Sequence, residues 1–141
     1  MGRKLKDSPQ PNIHWSHRTI LIVDDVPANF EILKNALATT GAKIVHAQSG
    51  MEGIRKCLEN KKIDLVIMDI NMPGLNGLDA ARELKTLKEN IVIIGQSAFI
   101  SACTRNECLE AGMDEFFIKP VNPSELIGLI RATLIKRGKR V

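Results

Sequence analysis

Short apolar runs recur along the chain, and each stops at a charged or hydroxyl-bearing residue. Ile20-Leu21-Ile22-Val23 runs into Asp24-Asp25, and Leu65-Val66-Ile67-Met68 into Asp69. Ile91-Val92-Ile93-Ile94 leads to Gln96-Ser97, and Glu115-Phe116-Phe117-Ile118 to Lys119-Pro120. A shorter run, Ile44-Val45, falls between the first two. Runs of this length predict strands, and unbroken apolarity predicts burial on both faces. The intervening segments have helical spacing. Pro27 suits a first helical turn, with Phe30, Leu33 and Leu37 behind it and Gly41 as the stop. Further helices are predicted over about Gly50 to Asn60, Gly77 to Leu87 and Ile100 to Ala111, the last with weak periodicity. The fifth opens with Asn122 as N-cap, Pro123 next and Glu125 completing a capping box; its core face is Leu126, Ile130 and Leu134.

Five β/α units in succession predict an α/β fold, a doubly wound parallel sheet of order 2-1-3-4-5. In such sheets functional groups collect at the carboxyl ends of the strands, near the switch point between strands one and three. Residues 1–18 contain Ser8-Pro9-Gln10-Pro11 and are expected to be a flexible tail or linker, including His14, Trp15 and His17. The domain is expected to cover 19–137, with 138–141 a basic C-terminal tail.

Composition and charge narrow the function. At 141 residues the chain has room for one core. No apolar stretch reaches the roughly 20 residues that a membrane helix needs, and no apolar region follows Arg3, Lys4 and Lys6, so neither a membrane contact nor a secretory signal is expected. Cys57, Cys103 and Cys108 show no ligand spacing and read as packing or surface thiols in a reducing cytoplasm. The net charge is +4, but residues 1–18 carry +3 and residues 131–141 carry +5, leaving the body at −4. With its positive charge in the ends, 4% aromatics and no Tyr, the chain is not expected to bind nucleic acid.

The strand ends carry the chemistry. Asp24, Asp25 and Asp69 would converge there, with Ser97 and Lys119 beside them. Three carboxylates repel one another unless a cation intervenes. Lys119 is one such cation, and a hard divalent ion such as Mg²⁺ is another. The set permits phosphoryl transfer to a carboxylate, with the cations and the Ser hydroxyl meeting the phosphoryl oxygens. Blander roles exist for each residue. Asp25 and Ser97 could cap helices, Asp24 could be a solvated strand end, Lys119 a surface lysine, and the Asp69-Asn71-Pro73 stretch could be turn chemistry alone.

These residues resemble the receiver domain of two-component response regulators. The resemblance covers about Thr19 to Lys136. It rests on Asp24-Asp25, Asp69-Ile70-Asn71-Met72-Pro73 with Gly77 after it, Ser97-Ala98 and Lys119-Pro120. It implies that Asp69 is the phosphoacceptor, taking a phosphoryl group from a histidine kinase or a histidine phosphotransfer domain. It implies Asp25 as a direct Mg²⁺ ligand beside Asp69, Asp24 acting through water, and the Asn71 backbone carbonyl as a further ligand. Ser97 resembles the hydroxyl that swings to the phosphoryl group, Lys119 the cation that pairs with it, and Lys119-Pro120 the family's cis peptide. Ala98 is small and would leave the site open. Phe116 stands at the switch aromatic, often Tyr in the family, and Ser97 stands where Thr is commoner. Phosphorylation would then switch the helix 4, strand 5 and helix 5 face, and the chain would slowly dephosphorylate itself.

A Mg²⁺-dependent phosphohydrolase could share the pocket, but Asn71 stands where a second acid is expected. A nucleotide or flavin binder would need a Gly- or Ser/Thr-rich first loop, whereas Asp24-Asp25-Val26-Pro27 repels phosphate. Asp25-Val26-Pro27-Ala28-Asn29-Phe30-Glu31 and Ile94-Gly95-Gln96-Ser97-Ala98-Phe99 resemble receivers of hybrid sensor histidine kinases more than those of DNA-binding regulators. A free-standing regulator is the other origin that fits.

Overall fold

A computed structural model describes residues 13–98 and 102–141, with side chains from Arg105 in the second stretch. Five strands form one parallel sheet: β1 (Thr19–Val23), β2 (Lys43–Ala47), β3 (Ile63–Asp69), β4 (Val92–Ser97) and β5 (Glu115–Ile118). Their order is β2-β1-β3-β4-β5, as the β/α repeat predicts. Five helices connect and follow them: α1 (Pro27–Ala36), α2 (Gly50–Glu59), α3 (Gly77–Leu87), α4 (Ala102–Glu110) and α5 (Pro123–Lys136). The expected start of the fourth helix at Ile100 lies outside the described residues.

β1 is an interior strand, paired with β2 on one side and β3 on the other. Its side chains alternate between two apolar layers. Leu21 and Val23 face the α2, α3 and α4 side, with Val66, Met68, Ala80, Leu84 and Ile93. Ile20 and Ile22 face the α1 and α5 side, with Ile67, Ile94, Leu126, Ile130 and Leu134. Ile20, Leu21, Ile22 and Val23 are fully buried. At about 1.5–3 kcal/mol for each such side chain, one strand supplies a large share of a domain's stabilisation. A polar residue inside β1 would forfeit that on whichever face it met.

Local chemistry sets the helix ends. Asn76 Oδ1 accepts from Asp79 N at 2.9 Å to open α3, and Asn122 Oδ1 accepts from Glu125 N at 2.8 Å to open α5. Glu125 closes its half of the box on the Asn122 side-chain amide rather than on the backbone. α5 ends in a Schellman closure: Gly138 (φ +70°) donates to the Ile135 carbonyl, and Lys139 donates to that of Leu134. No described helix is long and apolar enough to cross a membrane.

Both expected tails are shorter than the sequence suggests. Trp15 is fully buried in the layer under α1 and α5, and Ile13 is half-buried against that layer. Trp15 N donates to the Thr40 carbonyl at 2.7 Å. Arg18, 4% exposed, pairs with Asp64 at 2.6 Å and donates to the Arg140 carbonyl. Residues 13–18 and 138–140 therefore belong to the folded unit, at the sheet edge where β1 begins.

Candidate functional site

Parallel strands place all their carboxyl ends on one edge, and this edge gathers the acids. Asp24 and Asp25 follow β1, and Asp69 ends β3. One carboxylate oxygen from each lies within 4.8 Å of the others. Asp24 is fully buried, Asp69 is 3% exposed, and Asp25 is half-buried. Charged groups this deep require compensation.

Asp24 is compensated on every side. Its Oδ1 accepts from Val26 N at 2.9 Å, and its Oδ2 accepts from Gln96 Nε2 at 3.1 Å. Lys119 Nζ stands 3.5 Å from that same Oδ2 and 3.5 Å from Asp69 Oδ2. These separations exceed an ordinary hydrogen bond, so the ammonium acts as a charge shared between two acids. Asp69 Oδ1 accepts from Asn71 N at 3.1 Å. Burial pushes the Asp69 carboxyl above its usual range and the Asp24 charge adds to this, while Lys119 and the Asn71 amide pull it down. No described residue donates to the Asp25 carboxylate.

The remaining predicted residues surround this cluster. Ser97, ending β4, donates its hydroxyl to Asn71 Oδ1 at 3.0 Å. Ala98 is exposed just beyond. The Lys119-Pro120 peptide is cis. A cleft of about 470 Å³ opens alongside, lined by residues including Asn71, Met72, Ser97 and Glu107. Phe116 is not brought to the carboxylates. It is half-buried on the α4 side, while Phe117 points to the opposite layer. Gly77 holds the site's floor tight: a Cβ there would lie 2.1 Å from the Asp69 carbonyl oxygen.

Two residues without an expected role meet Asp24. Gln96 is 1% exposed and reaches it from β4. His46 Nε2 lies 3.0 Å from its carbonyl oxygen. The only signal in the sequence is a polar residue at an inward position of an otherwise apolar strand.

The donor set fits a hard divalent cation. Three carboxylates face one ammonium, so negative charge is in excess, and no described residue takes up the Asp25 carboxylate.

Comparison with known proteins agrees with this geometry. The family model described as the response regulator receiver domain matches residues 20–131. Histidine protein kinase 1 of Candida albicans is 36% identical over 133 residues, covering 86% of this chain and 5% of that protein. Transcriptional regulatory protein PrrA of Mycobacterium tuberculosis is 33% identical over 119 residues, 84% of this chain and 51% of its own length. The chain thus spans about half the length of PrrA and a small part of the kinase. The solved CheY-like receiver domain protein of Methanospirillum hungatei superposes with a TM-score of 0.78 at 29% identity, covering 86% of this chain and 96% of that one. With acids at the ends of β1 and β3, a lysine after β5 and this match over most of its length, the chain belongs to the response regulator receiver domains of two-component systems.

Proposed function

We propose that this receiver is a phosphoacceptor in a two-component phosphorelay, with Asp69 as the residue phosphorylated. The observation that carries the reading is Lys119 Nζ at 3.5 Å from both Asp69 and Asp24, inside a cluster with more acid than base. An Asp69 carboxylate oxygen attacks the phosphorus of a phospho-His donor. A P–O bond forms, the P–N bond breaks, and the imidazole leaves with the electron pair and takes up a proton. The donor is a histidine kinase or a histidine phosphotransfer domain.

Asp25, Asp69 and the Asn71 carbonyl would hold Mg²⁺, with Asp24 acting through water. Bound there, Mg²⁺ supplies positive charge against the phosphoryl oxygens. Asp24 suits the indirect role because its two oxygens already accept from Val26 and Gln96 and face the Lys119 ammonium at 3.5 Å. Asp25 suits the direct one because no described residue donates to its oxygens.

After transfer, Lys119 pairs with a phosphoryl oxygen. The Ser97 hydroxyl turns from Asn71 Oδ1 to another. Ser97 ends β4, so its motion pulls the segment leading to α4, and the half-buried Phe116 ring turns inward. The face of α4, β5 and α5 then presents a changed surface to a downstream protein. We place this chemistry in the cytoplasm, in a hybrid sensor histidine kinase or a free-standing regulator.

The test is the intact mass after incubation with acetyl phosphate and Mg²⁺. A gain of about 80 Da, lost with hydroxylamine as an acyl phosphate is, and absent in Asp69→Ala, is expected. No gain from either acetyl phosphate or a phospho-His donor overturns the reading.

A further inference from the structure

His46 belongs to β2, which contributes no acid to the cluster, yet it touches the acidic turn. Its ring lies flat on Phe30 of α1, with centroids 3.9 Å apart and planes 9° from parallel. From that position its Nε2 reaches the Asp24 carbonyl oxygen at 3.0 Å. A carbonyl oxygen only accepts, so Nε2 carries the hydrogen and donates. The next residue, Ala47, accepts from Asp24 N at 3.0 Å through its own carbonyl. Both backbone polar groups of Asp24 are therefore held from the end of β2.

The Asp24 carbonyl and the Asp25 amide share one rigid peptide plane. Fixing the carbonyl fixes that plane, and with it the direction in which Asp25 leaves β1. Asp25 depends on this. Asp24 is held through its side chain by Val26, Gln96 and Lys119. No described residue donates to the Asp25 carboxylate, so its place in the cluster is set by the backbone.

We propose that His46 is a positioning residue for divalent-cation binding: its Nε2–H, braced by the Phe30 ring, orients the Asp24–Asp25 peptide and so holds the Asp25 carboxylate at the cation site. This rests on reading the site as Mg²⁺-binding.

Two variants of the full chain separate the hydrogen bond from the ring. His46→Phe keeps an aromatic surface against Phe30 and loses the donor. His46→Gln places an amide nitrogen close to the Nε2 position. Mg²⁺ affinity is measured by calorimetry, and unfolding is measured without metal. One neutral hydrogen bond is worth about 0.5–1.5 kcal/mol, which corresponds to a roughly 2–10-fold weaker Kd in His46→Phe. His46→Gln is expected within about twofold of the parent by the same measure. Equal Mg²⁺ affinity in His46→Phe and the parent overturns the proposal. So does an equal loss in His46→Phe and His46→Gln, because then bulk and not the donor matters. If His46→Phe does not fold, His46→Leu takes its place in the same comparison. A parent chain that binds no divalent cation overturns the reading of the site and the proposal together. A parent that binds while His46→Phe matches it overturns the proposal alone.

Discussion

The Gln96 side-chain amide donates to Asp24 Oδ2 at 3.1 Å, with both residues sealed from solvent. Lys119 contends for the same oxygen at 3.5 Å. In Gln96→Leu that oxygen loses its nearest donor and draws Lys119 toward Asp24 and away from Asp69. The cost of an unsatisfied buried acceptor is about 1–3 kcal/mol. Urea unfolding of the metal-free variant should show a loss of that size, and acetyl phosphate should label it more slowly. Unchanged stability would mean that the amide is dispensable.

Asp69 is a burden on the metal-free fold. Its carboxyl is raised above the ordinary range, chiefly by burial. The native state therefore holds this proton at pH values where the unfolded chain has released it. Stability linked to Asp69 is greatest below the usual carboxylate pKa and falls as pH climbs through the raised one. Asp69→Asn should remove that dependence, raise the urea midpoint at neutral pH and abolish phosphorylation. A lower midpoint for the variant at neutral pH would show that pairing with Lys119 outweighs burial.

Gly77→Ala tests the floor of the site. The added methyl would meet the Asp69 carbonyl at 2.1 Å, and that obstacle is backbone, which cannot swing aside. Overpacking of this kind costs about 1–3 kcal/mol. Phosphorylation of Asp69 should slow as well, because relief of the clash moves the segment that carries it. Wild-type stability and labelling would show that α3 yields freely.

Trp15 anchors residues that the sequence reads as a tail. Truncating a buried Trp to Ala costs about 3–5 kcal/mol, so Trp15→Ala should unfold at markedly lower urea. Trp15 is the chain's single tryptophan, and its emission should shift to the red as the parent unfolds. A truncation starting at Thr19 should be at least as unstable as Trp15→Ala. A stable truncation would mean that the docked segment adds nothing.

Much of this was legible in sequence because the carriers are local. Apolar runs ending in Asp24-Asp25, Asp69, Ser97 and Lys119 announce strands and what lies at their tips. Asn122-Pro123 marks the start of α5 without reference to the rest of the chain. Trp15 was hidden because two prolines precede it and polar residues flank it, and its burial depends on α1 and α5, which come later in the chain. His46 and Gln96 were hidden for a related reason. Their partner is Asp24, 22 and 72 residues away, and only strand pairing brings them to it.

The Arg18 guanidinium joins the Asp64 carboxylate to the Arg140 carbonyl, so the residue that leads into β1 and the last turn share one fastening. A polypeptide attached before β1 and another attached after α5 would both be led off from the same pole. The carboxylates occupy the other pole. Both described ends of the domain therefore lie opposite the carboxylates and leave the acidic pole uncovered.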